Sequence, residues 1–157
     1  GLVLGMTVRE NLSLSTLGAI SEWGVIRGGE ERSRAAAMVR ELDVRTPGIE
    51  TPVGRLSGGN QQKVVLGRWL QARPRVFVLE EPTRGIDVGA KVEVYRLMEE
   101  LAESGAAILL VSSEMPEILS MSDRILTIAD GRLTAEFRRG EATQEAVLDR
   151  AIGEART

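Results

Sequence analysis

Hydrophobic and polar residues follow a helical spacing through the first half of the chain. Thr7, with Glu10 three positions later, forms a capping-box pattern and predicts a helix start, and Ser57 before an apolar stretch predicts another. The predicted helices cover residues 7–17, 30–42 and 58–72, and the glycine-containing stretch 18–29 is predicted to be a loop. The apolar face expected for the last of these helices consists of Val65, Leu66, Trp69 and Leu70.

The second half changes to short apolar runs separated by an amphipathic helix. Runs at 76–79 and 106–111 have strand length and predict strands of a parallel sheet, buried on both faces. A helix is predicted between them over 88–103, and its expected apolar face consists of Val88, Val92, Tyr95, Met98 and Leu101. The other predicted elements are a helix at 115–121, a strand at 124–129, a turn at Asp130–Gly131, a strand at 132–137 and a helix at about 143–152.

This order of elements indicates an α/β protein with a helical front and a sheet-containing back. The character of the sequence changes near Pro74, so we expect one part to cover residues 1–73 and the other residues 74–157. No window approaches 18 consecutive apolar residues and no signal-peptide pattern opens the chain. We therefore expect a cytoplasmic protein without a membrane span.

Composition narrows the possible chemistry. The chain contains no histidine and no cysteine, which excludes imidazole general bases, Ser-His-Asp triads and thiolate nucleophiles. A net charge of −3 and only two Trp, one Tyr and two Phe argue against nucleic acid as a partner. Any reaction must therefore use carboxylates, hydroxyls, backbone amides, Lys and Arg.

The segment Leu56–Lys63 reads Leu-Ser-Gly-Gly-Asn-Gln-Gln-Lys and places two glycines at a predicted helix start. The first amides of a helix lack internal partners and carry partial positive charge, so Gly58 and Gly59 would let a phosphate approach the backbone. Ser57 can add a hydroxyl donor. A capped helix after a turn explains the same residues, and for this segment taken alone it is the favoured interpretation.

Carboxylates follow the first predicted strand at Glu80 and Glu81. Ligands of open α/β sheets bind beyond the carboxyl ends of the strands, where one carboxylate can hold Mg²⁺ and a second can polarise a water. A solvated strand end is the alternative interpretation. Asp87 can simply cap the following helix, and Ser112-Ser113 after the second strand is usually a helix cap.

The order and spacing of these motifs resemble one family, the ATP-binding-cassette (ABC) ATPases. By that resemblance, residues 57–63 correspond to the signature motif, in which Ser57, Gly58, Gly59 and Gln61 contact the ATP of a partner cassette. The resemblance assigns the other candidates in chain order: the Mg²⁺ position of the Walker B strand to Glu80, the catalytic glutamate to Glu81, the D-loop to Asp87 and the switch-histidine position to Ser113.

Longer strings narrow the resemblance to sugar importers. Residues 1–11, 56–63, 81–91 and 112–117 are similar to the second cassette of the tandem ATPase subunits of bacterial sugar importers, above all of the ribose type. The resemblance implies ATP-driven sugar uptake at the cytoplasmic face of the membrane, with ATP and Mg²⁺ as cofactors. The implied partners are a first cassette of the same polypeptide or a second ATPase subunit, membrane permease subunits and, indirectly, a sugar-binding protein.

Three departures from the family pattern shape these expectations. No Gly-x-x-x-x-Gly-Lys-[Ser/Thr] motif occurs, so we expect the back part of a second cassette, a partial P-loop NTPase fold that does not hydrolyse ATP by itself. Glu80 replaces the usual Asp, which moves the carboxylate by about 1.5 Å. Because Ser113 replaces the switch histidine, this half's own site is expected to be slow or mainly structural, whereas its signature is expected to complete the other site. The alternatives are a non-catalytic interaction domain with this fold and the ATPase of a non-transport ABC protein.

Overall fold

The computed structural model describes residues 1–152, which form two compact units. The first unit comprises residues 1–77 and 82–107, and the second comprises residues 78–81 and the chain from Ile108 onward. The elements in chain order are α1 (Val8–Ser13), α2 (Leu17–Ile20), β1 (Ser21–Glu22), β2 (Val25–Ile26), α3 (Gly28–Glu41), a 3-10 turn (Val53–Arg55), α4 (Gly58–Gln71), β3 (Val76–Glu80), α5 (Val88–Glu103), β4 (Ala107–Val111), α6 (Met115–Met121), β5 (Arg124–Ala129), β6 (Arg132–Arg138) and α7 (Gln144–Ile152). None of the helices within residues 1–152 is both long and apolar enough to cross a membrane.

The first helix begins where the capping box predicts. Thr7 Oγ1 accepts a hydrogen bond from the Glu10 amide at 3.2 Å, and Glu10 Oε2 accepts one from the Thr7 amide at 2.8 Å. The bond from the Thr7 amide lowers the pKa of Glu10. The helix predicted over 7–17 is nevertheless divided, since α1 ends at Ser13 and α2 starts at Leu17. The hydroxyls of Ser13 and Thr16 donate to backbone carbonyls there, which competes with helical hydrogen bonding.

A small hairpin occupies the stretch that was predicted as a loop. β1 and β2 pair antiparallel, with Glu22 opposite Val25, and the turn between them consists of Trp23 at φ 53° and Gly24 at φ 80°. Two positive φ angles are the geometry of a type I′ turn, which a tryptophan rarely adopts. The loop prediction was wrong because strands of two residues carry no alternating pattern.

The hydrophobic core of the first unit lies among α1, α3 and α4. Its residues are Val8, Leu12, Ala35, Met38, Leu42, Val44, Val53, Leu56 and Val64. The predicted apolar face of α4 was partly wrong, because Val64 and Leu66 are buried whereas Trp69 is 51% exposed. The physical reason is that α4 contacts α1 and α3 on one side and α5 on another, so its buried residues do not form one stripe.

Helix α5 has the predicted bounds, but its buried face differs from the prediction. Met98 is buried as expected and Val94 is buried as well, whereas Val88 and Val92 are exposed. The first turn of α5 approaches α4 through Ala90 rather than through these valines. The valines therefore face away from the contact that holds the helix.

Strands β3 and β4 form a two-stranded parallel sheet. The Ala107 amide donates to Arg75 O at 2.9 Å, and the Glu81 amide donates to Val111 O at 2.8 Å, so residue numbers rise together along both strands. The expectation of strands buried on both faces was wrong, because alternate residues are exposed along β3 and β4. Within residues 1–152, only one face of these strands is covered.

The second unit is organised around the β5–β6 hairpin. The predicted turn is confirmed, with Asp130 at φ 50° and Gly131 at φ 73°. Helix α7 lies against β5, where Ile125 and Val147 are buried. Helix α6 and strand β5 also have the predicted bounds.

Gly67 is a point of close approach between α4 and its neighbours. A Cβ there would lie 2.8 Å from Leu42 Cδ1, 2.9 Å from Leu12 Cδ2 and 2.9 Å from Met38 Cγ. We expect Gly67→Ala to lower the free energy of unfolding by about 1–3 kcal/mol, because overpacking outweighs the gain in helix propensity. Denaturant unfolding measures the difference. Gly18→Ala in α2 is the control, since a Cβ there meets nothing within 4 Å; equal effects of the two substitutions would contradict the prediction.

Candidate functional site

The segment aligned with the signature motif begins α4. Ser57 is the N-cap residue, as predicted, and Gly58 and Gly59 lie in the first helical turn. The Ser57 side chain does not cap the helix; its Oγ accepts a hydrogen bond from Asn60 Nδ2 at 2.8 Å. That bond leaves the hydroxyl hydrogen able to donate elsewhere. Among the residues that the structure describes, no side chain at the N-cap bonds the first amides of α4, and Ser57 and Gly58 are exposed.

Two side chains fix the loop that leads into α4. Gln61 Nε2 donates to Leu56 O at 3.0 Å, and the Arg45 amide donates to Asn60 Oδ1 at 2.7 Å. The side chain of Gln61, one of the predicted ATP contacts, therefore bonds within the loop. It orders the backbone immediately before the open first turn of α4.

The two glycines of this turn have different surroundings. A Cβ on Gly59 would lie 2.5 Å from Ala90 Cβ, so Gly59 is required for the close approach of α4 to α5. A Cβ on Gly58 would lie 3.5 Å from Gly85 O and from Ile86 Cγ2, an ordinary contact distance. Internal packing thus explains the glycine at 59 but not the glycine at 58.

Asp87 caps the first turn of α5, as its residue type predicts. Its Oδ1 accepts a hydrogen bond from the Ala90 amide at 2.9 Å. Gly85, at φ 75°, supplies the left-handed backbone conformation of the turn that precedes it. The structure therefore brings the predicted signature and D-loop residues together within the first unit, since Gly58 and Gly59 contact the 85–90 segment.

A buried lysine joins the same two helices. Lys63 Nζ lies 2.7 Å from Glu93 Oε2 and donates to Asp43 O at 2.9 Å. Lys63 is buried, and its hydrogen bond is the main cause that lowers the pKa of Glu93. This ion pair lies one helical turn beyond the Gly59–Ala90 contact and fixes the register of α4 on α5.

The predicted acidic residues lie at the end of β3, within the second unit. Glu80 is exposed on the same strand face as Val78. Glu81 is partly exposed, has φ 47°, and donates its amide to Val111 O at 2.8 Å. This backbone bond continues the pairing of β3 with β4 by one residue.

Ser113, at the predicted switch position, contacts Glu81 directly. Its amide donates to Glu81 Oε1 at 2.8 Å, and its hydroxyl donates to Glu81 Oε2 at 3.1 Å. The second unit therefore brings together two of the predicted residues that follow β3 and β4. These side chains lie 32 positions apart in sequence.

The described carboxylates fit a Mg²⁺ site in which phosphate and water supply most of the ligands. Within residues 1–152, no group of three or more acidic, histidine or cysteine side chains could hold a metal. Mg²⁺ in nucleotide sites is usually bound through phosphates, water and one or two carboxylates. Glu80, an exposed carboxylate at a strand end, fits such a nucleotide-linked site.

A buried polar network behind α4 was not predicted from the sequence. Arg68 Nε donates to Asn11 O and its Nη2 donates to Asn11 Oδ1, both at 2.8 Å. Arg68 Nη1 donates to Gly1 O at 2.8 Å, and burial lowers the pKa of Arg68. The available signal was a polar residue on the core-facing side of a helix, where an unsatisfied group would be costly.

Comparison with known proteins identifies relatives along the whole chain. A family model described as ABC transporter matches residues 1–84. Ribose import ATP-binding protein RbsA of Oceanobacillus iheyensis is 51% identical over 153 residues, and xylose import ATP-binding protein XylG of Geobacillus kaustophilus is 48% identical over 153 residues. Each alignment covers 98% of this chain but 31% and 30% of the respective relative. The chain spans about a third of the length of these curated relatives.

Solved structures share the fold. A nucleotide-free ATP-binding cassette from an ABC transporter gives a TM-score of 0.79 at 22% identity, covering 97% of this chain and 65% of that one. A dimeric cassette in a post-hydrolysis state, bound to ADP and Pi, gives a TM-score of 0.71 at 24% identity, with 88% and 59% covered. At these identities the similarity concerns the fold alone, and it confirms the predicted α/β cassette.

The Gly59–Ala90 contact can be tested by exchanging the two residues. Gly59→Ala is expected to lower the free energy of unfolding by about 1–3 kcal/mol through overpacking. Ala90→Gly removes the atom that the new Cβ would meet, so the double variant should recover part of that loss. Denaturant unfolding of the four chains gives a coupling energy, expected to be about 1 kcal/mol.

Gly58→Ala is the matched control for this cycle. Its Cβ would make only ordinary contacts at 3.5 Å, so we expect little change in stability. Strictly additive effects of Gly59→Ala and Ala90→Gly would contradict the requirement for a glycine at 59.

Proposed function

The chain belongs to the ABC transporter family of ATPases, and from that premise we propose that it is part of the ATP-binding subunit of a bacterial carbohydrate importer. It would form most of one cassette and couple ATP hydrolysis to the uptake of ribose or a related monosaccharide. The similarity to ribose and xylose import ATP-binding proteins supports this proposal.

The observation that carries the proposal is the open first turn of α4. Ser57 and Gly58 are exposed, no side chain caps the turn within the described residues, and Gly58 is not required by internal packing. Backbone amides in this position favour an anion. We propose that Ser57, Gly58 and Gly59 bind the ATP held by a partner cassette, and that Gln61 orders the loop for that contact.

The residues around this turn extend the proposed site. Asp87 lies in the segment packed against Gly58 and Gly59 and is proposed as the D-loop residue of the same nucleotide site. This set of residues would complete a site whose phosphate-binding loop belongs to the other cassette. The contacts with Ala90 and Glu93 hold α4 and α5 in the register that the set requires.

The acidic end of β3 supports a second role. We propose Glu81 as the general base for the attacking water and Glu80 as the carboxylate that binds Mg²⁺ through water. Mg²⁺ bound to ATP would neutralise charge on the phosphates. Ser113 occupies the switch position without an imidazole, so the site on this side is proposed to be the slower of the two.

The proposed partners follow from the importer assignment. They are a first cassette of the same polypeptide or a second ATPase subunit, membrane permease subunits contacted by the helical part at about residues 6–54, and indirectly a sugar-binding protein. The subunit would act at the cytoplasmic face of the membrane. Nucleic acid is not among the proposed partners.

Two substitutions in the intact subunit separate the role of the first turn of α4 from that of the acidic end of β3. We expect Ser57→Arg to reduce ATP-dependent sugar uptake about a hundredfold, because a bulky side chain would block the anion-binding turn. Glu81→Gln should reduce uptake much less, since it affects only the slower site. Uptake of labelled sugar by cells or proteoliposomes measures both effects.

Ser104→Arg is the control for the added bulk and charge. Ser104 is exposed at the C-terminal end of α5, whereas the proposed nucleotide contacts include Asp87 at its N-terminal end. This variant should leave uptake near the wild-type level. Loss of uptake in Glu81→Gln together with normal uptake in Ser57→Arg would reverse the assignment of the two sites.

The isolated 157-residue chain is expected not to hydrolyse ATP with Mg²⁺. The reason is that it contains no phosphate-binding loop motif, and the proposed signature residues serve the nucleotide of another cassette. A phosphate-release assay would compare the chain with its Glu81→Gln variant. Release that exceeds the background set by that variant would contradict this expectation.

A further inference from the structure

One residue binds both oxygens of the proposed general base. The Ser113 amide donates to Glu81 Oε1 at 2.8 Å, and the Ser113 hydroxyl donates to Glu81 Oε2 at 3.1 Å. Two donors on one residue fix both the position and the plane of the carboxylate. We infer that Ser113 is a positioning residue that clasps Glu81 in a resting orientation and restrains it from acting as a base.

The backbone conformation of Glu81 is consistent with a residue that is held in place by its contacts. Its φ of 47° lies in the left-handed region, which is strained for a residue with a side chain. Such strain persists only where surrounding contacts outweigh it. Here the contacts are the hydrogen bond that the Glu81 amide donates to Val111 O at 2.8 Å and the two hydrogen bonds that Ser113 donates to the Glu81 side chain. Backbone and side chain of Glu81 are therefore both tied to the end of β4.

The clasp restrains a group that solvent can reach. Ser113 is exposed and Glu81 is partly exposed, so water has access to the carboxylate. In the proposed restraint, turning the carboxylate toward an attacking water means release of its bond to the Ser113 hydroxyl. Hydrogen bonds to an ionised carboxylate are stronger than bonds between neutral groups, so this release slows the reaction.

The neighbouring serine provides a matched control. Ser112 Oγ accepts a hydrogen bond from the Glu114 amide at 3.0 Å, a contact that does not involve Glu81. Ser112→Ala and Ser113→Ala therefore remove the same atom from adjacent positions, and only Ser113→Ala opens the clasp. Ser113→Thr keeps the hydroxyl and should behave like serine.

The inference rests on the proposed function, so its kinetic test uses the intact polypeptide with its partners. Ser57→Arg is the background, because it should silence the other nucleotide site. In that background, Ser113→Ala is expected to raise the kcat of ATP hydrolysis about tenfold, the effect of losing one hydrogen bond to a charged group. KM for ATP should change little. Ser113→Thr and Ser112→Ala should not raise kcat.

A second measurement tests the hydrogen bond from the Ser113 amide to Glu81 without requiring ATP hydrolysis. Glu81→Ala removes the acceptor of the Ser113 amide, so hydrogen exchange in a peptide covering residues 112–114 should accelerate about tenfold in the intact protein. Peptides from the β5–β6 hairpin should exchange at the wild-type rate and serve as the internal reference.

Each outcome decides the inference. Unchanged exchange at residues 112–114 in Glu81→Ala would show that no clasp exists in solution. Faster exchange combined with an unchanged or lower kcat in Ser113→Ala, or with no turnover in that variant, would overturn the restraint. Absence of ATP hydrolysis in the wild-type intact protein would instead overturn the proposed function, and the exchange measurement would still decide on the clasp.

Discussion

The close approach of α4 to its neighbours is the constraint on which the first unit depends. Gly59 allows α4 to meet α5 at Ala90, and Gly67 allows it to meet Leu12, Met38 and Leu42. A glycine inside a helix costs about 1 kcal/mol relative to alanine, so both positions lose helix propensity to gain packing. These contacts at both ends of α4 determine where its first turn, with Ser57 and Gly58, is presented to solvent.

Two buried cations on α4 make specific hydrogen bonds in addition to these packing contacts. Lys63 pairs with Glu93 and donates to Asp43 O, whereas Arg68 donates to the carbonyl oxygens of Gly1 and Asn11 and to Asn11 Oδ1. Lys63 is buried but Glu93 is partly exposed, so solvent screens the ion pair and the bond to Asp43 O also holds the ammonium in place. Apolar contacts tolerate some sliding of one helix past another, but these hydrogen bonds do not. They fix α4 in one register against α5 and against the start of the chain.

Local chemistry could be predicted from the sequence, and long-range contacts could not. The capping box at Thr7, the turn at Asp130–Gly131 and the bounds of α5 depend on neighbouring residues, and all are confirmed. The buried faces of α4 and α5 depend on which helices pack against them, so their predictions were partly wrong. The candidate residues Ser57, Glu80 and Asp87 lie at the helix starts and the strand end predicted for them, and their roles stay predictions. The Glu81–Ser113 contact was not foreseen, because it arises only when β3 pairs with β4.

The two proposed nucleotide-binding segments, the first turn of α4 and the end of β3, differ in how many of their polar groups are already hydrogen-bonded. A group whose donors or acceptors are unused by the protein can bind a ligand directly, whereas a group bonded internally is held in one orientation by its partner. The first turn of α4 meets the first condition, since Ser57 does not cap it and Gly58 is exposed. Glu81 meets the second, since Ser113 engages both of its oxygens. In a chain without histidine, the serine at 113 thus supplies no imidazole and adds a restraint on the carboxylate. The proposed unequal contribution of this chain to two nucleotide sites therefore rests on a difference in which donors and acceptors are already paired.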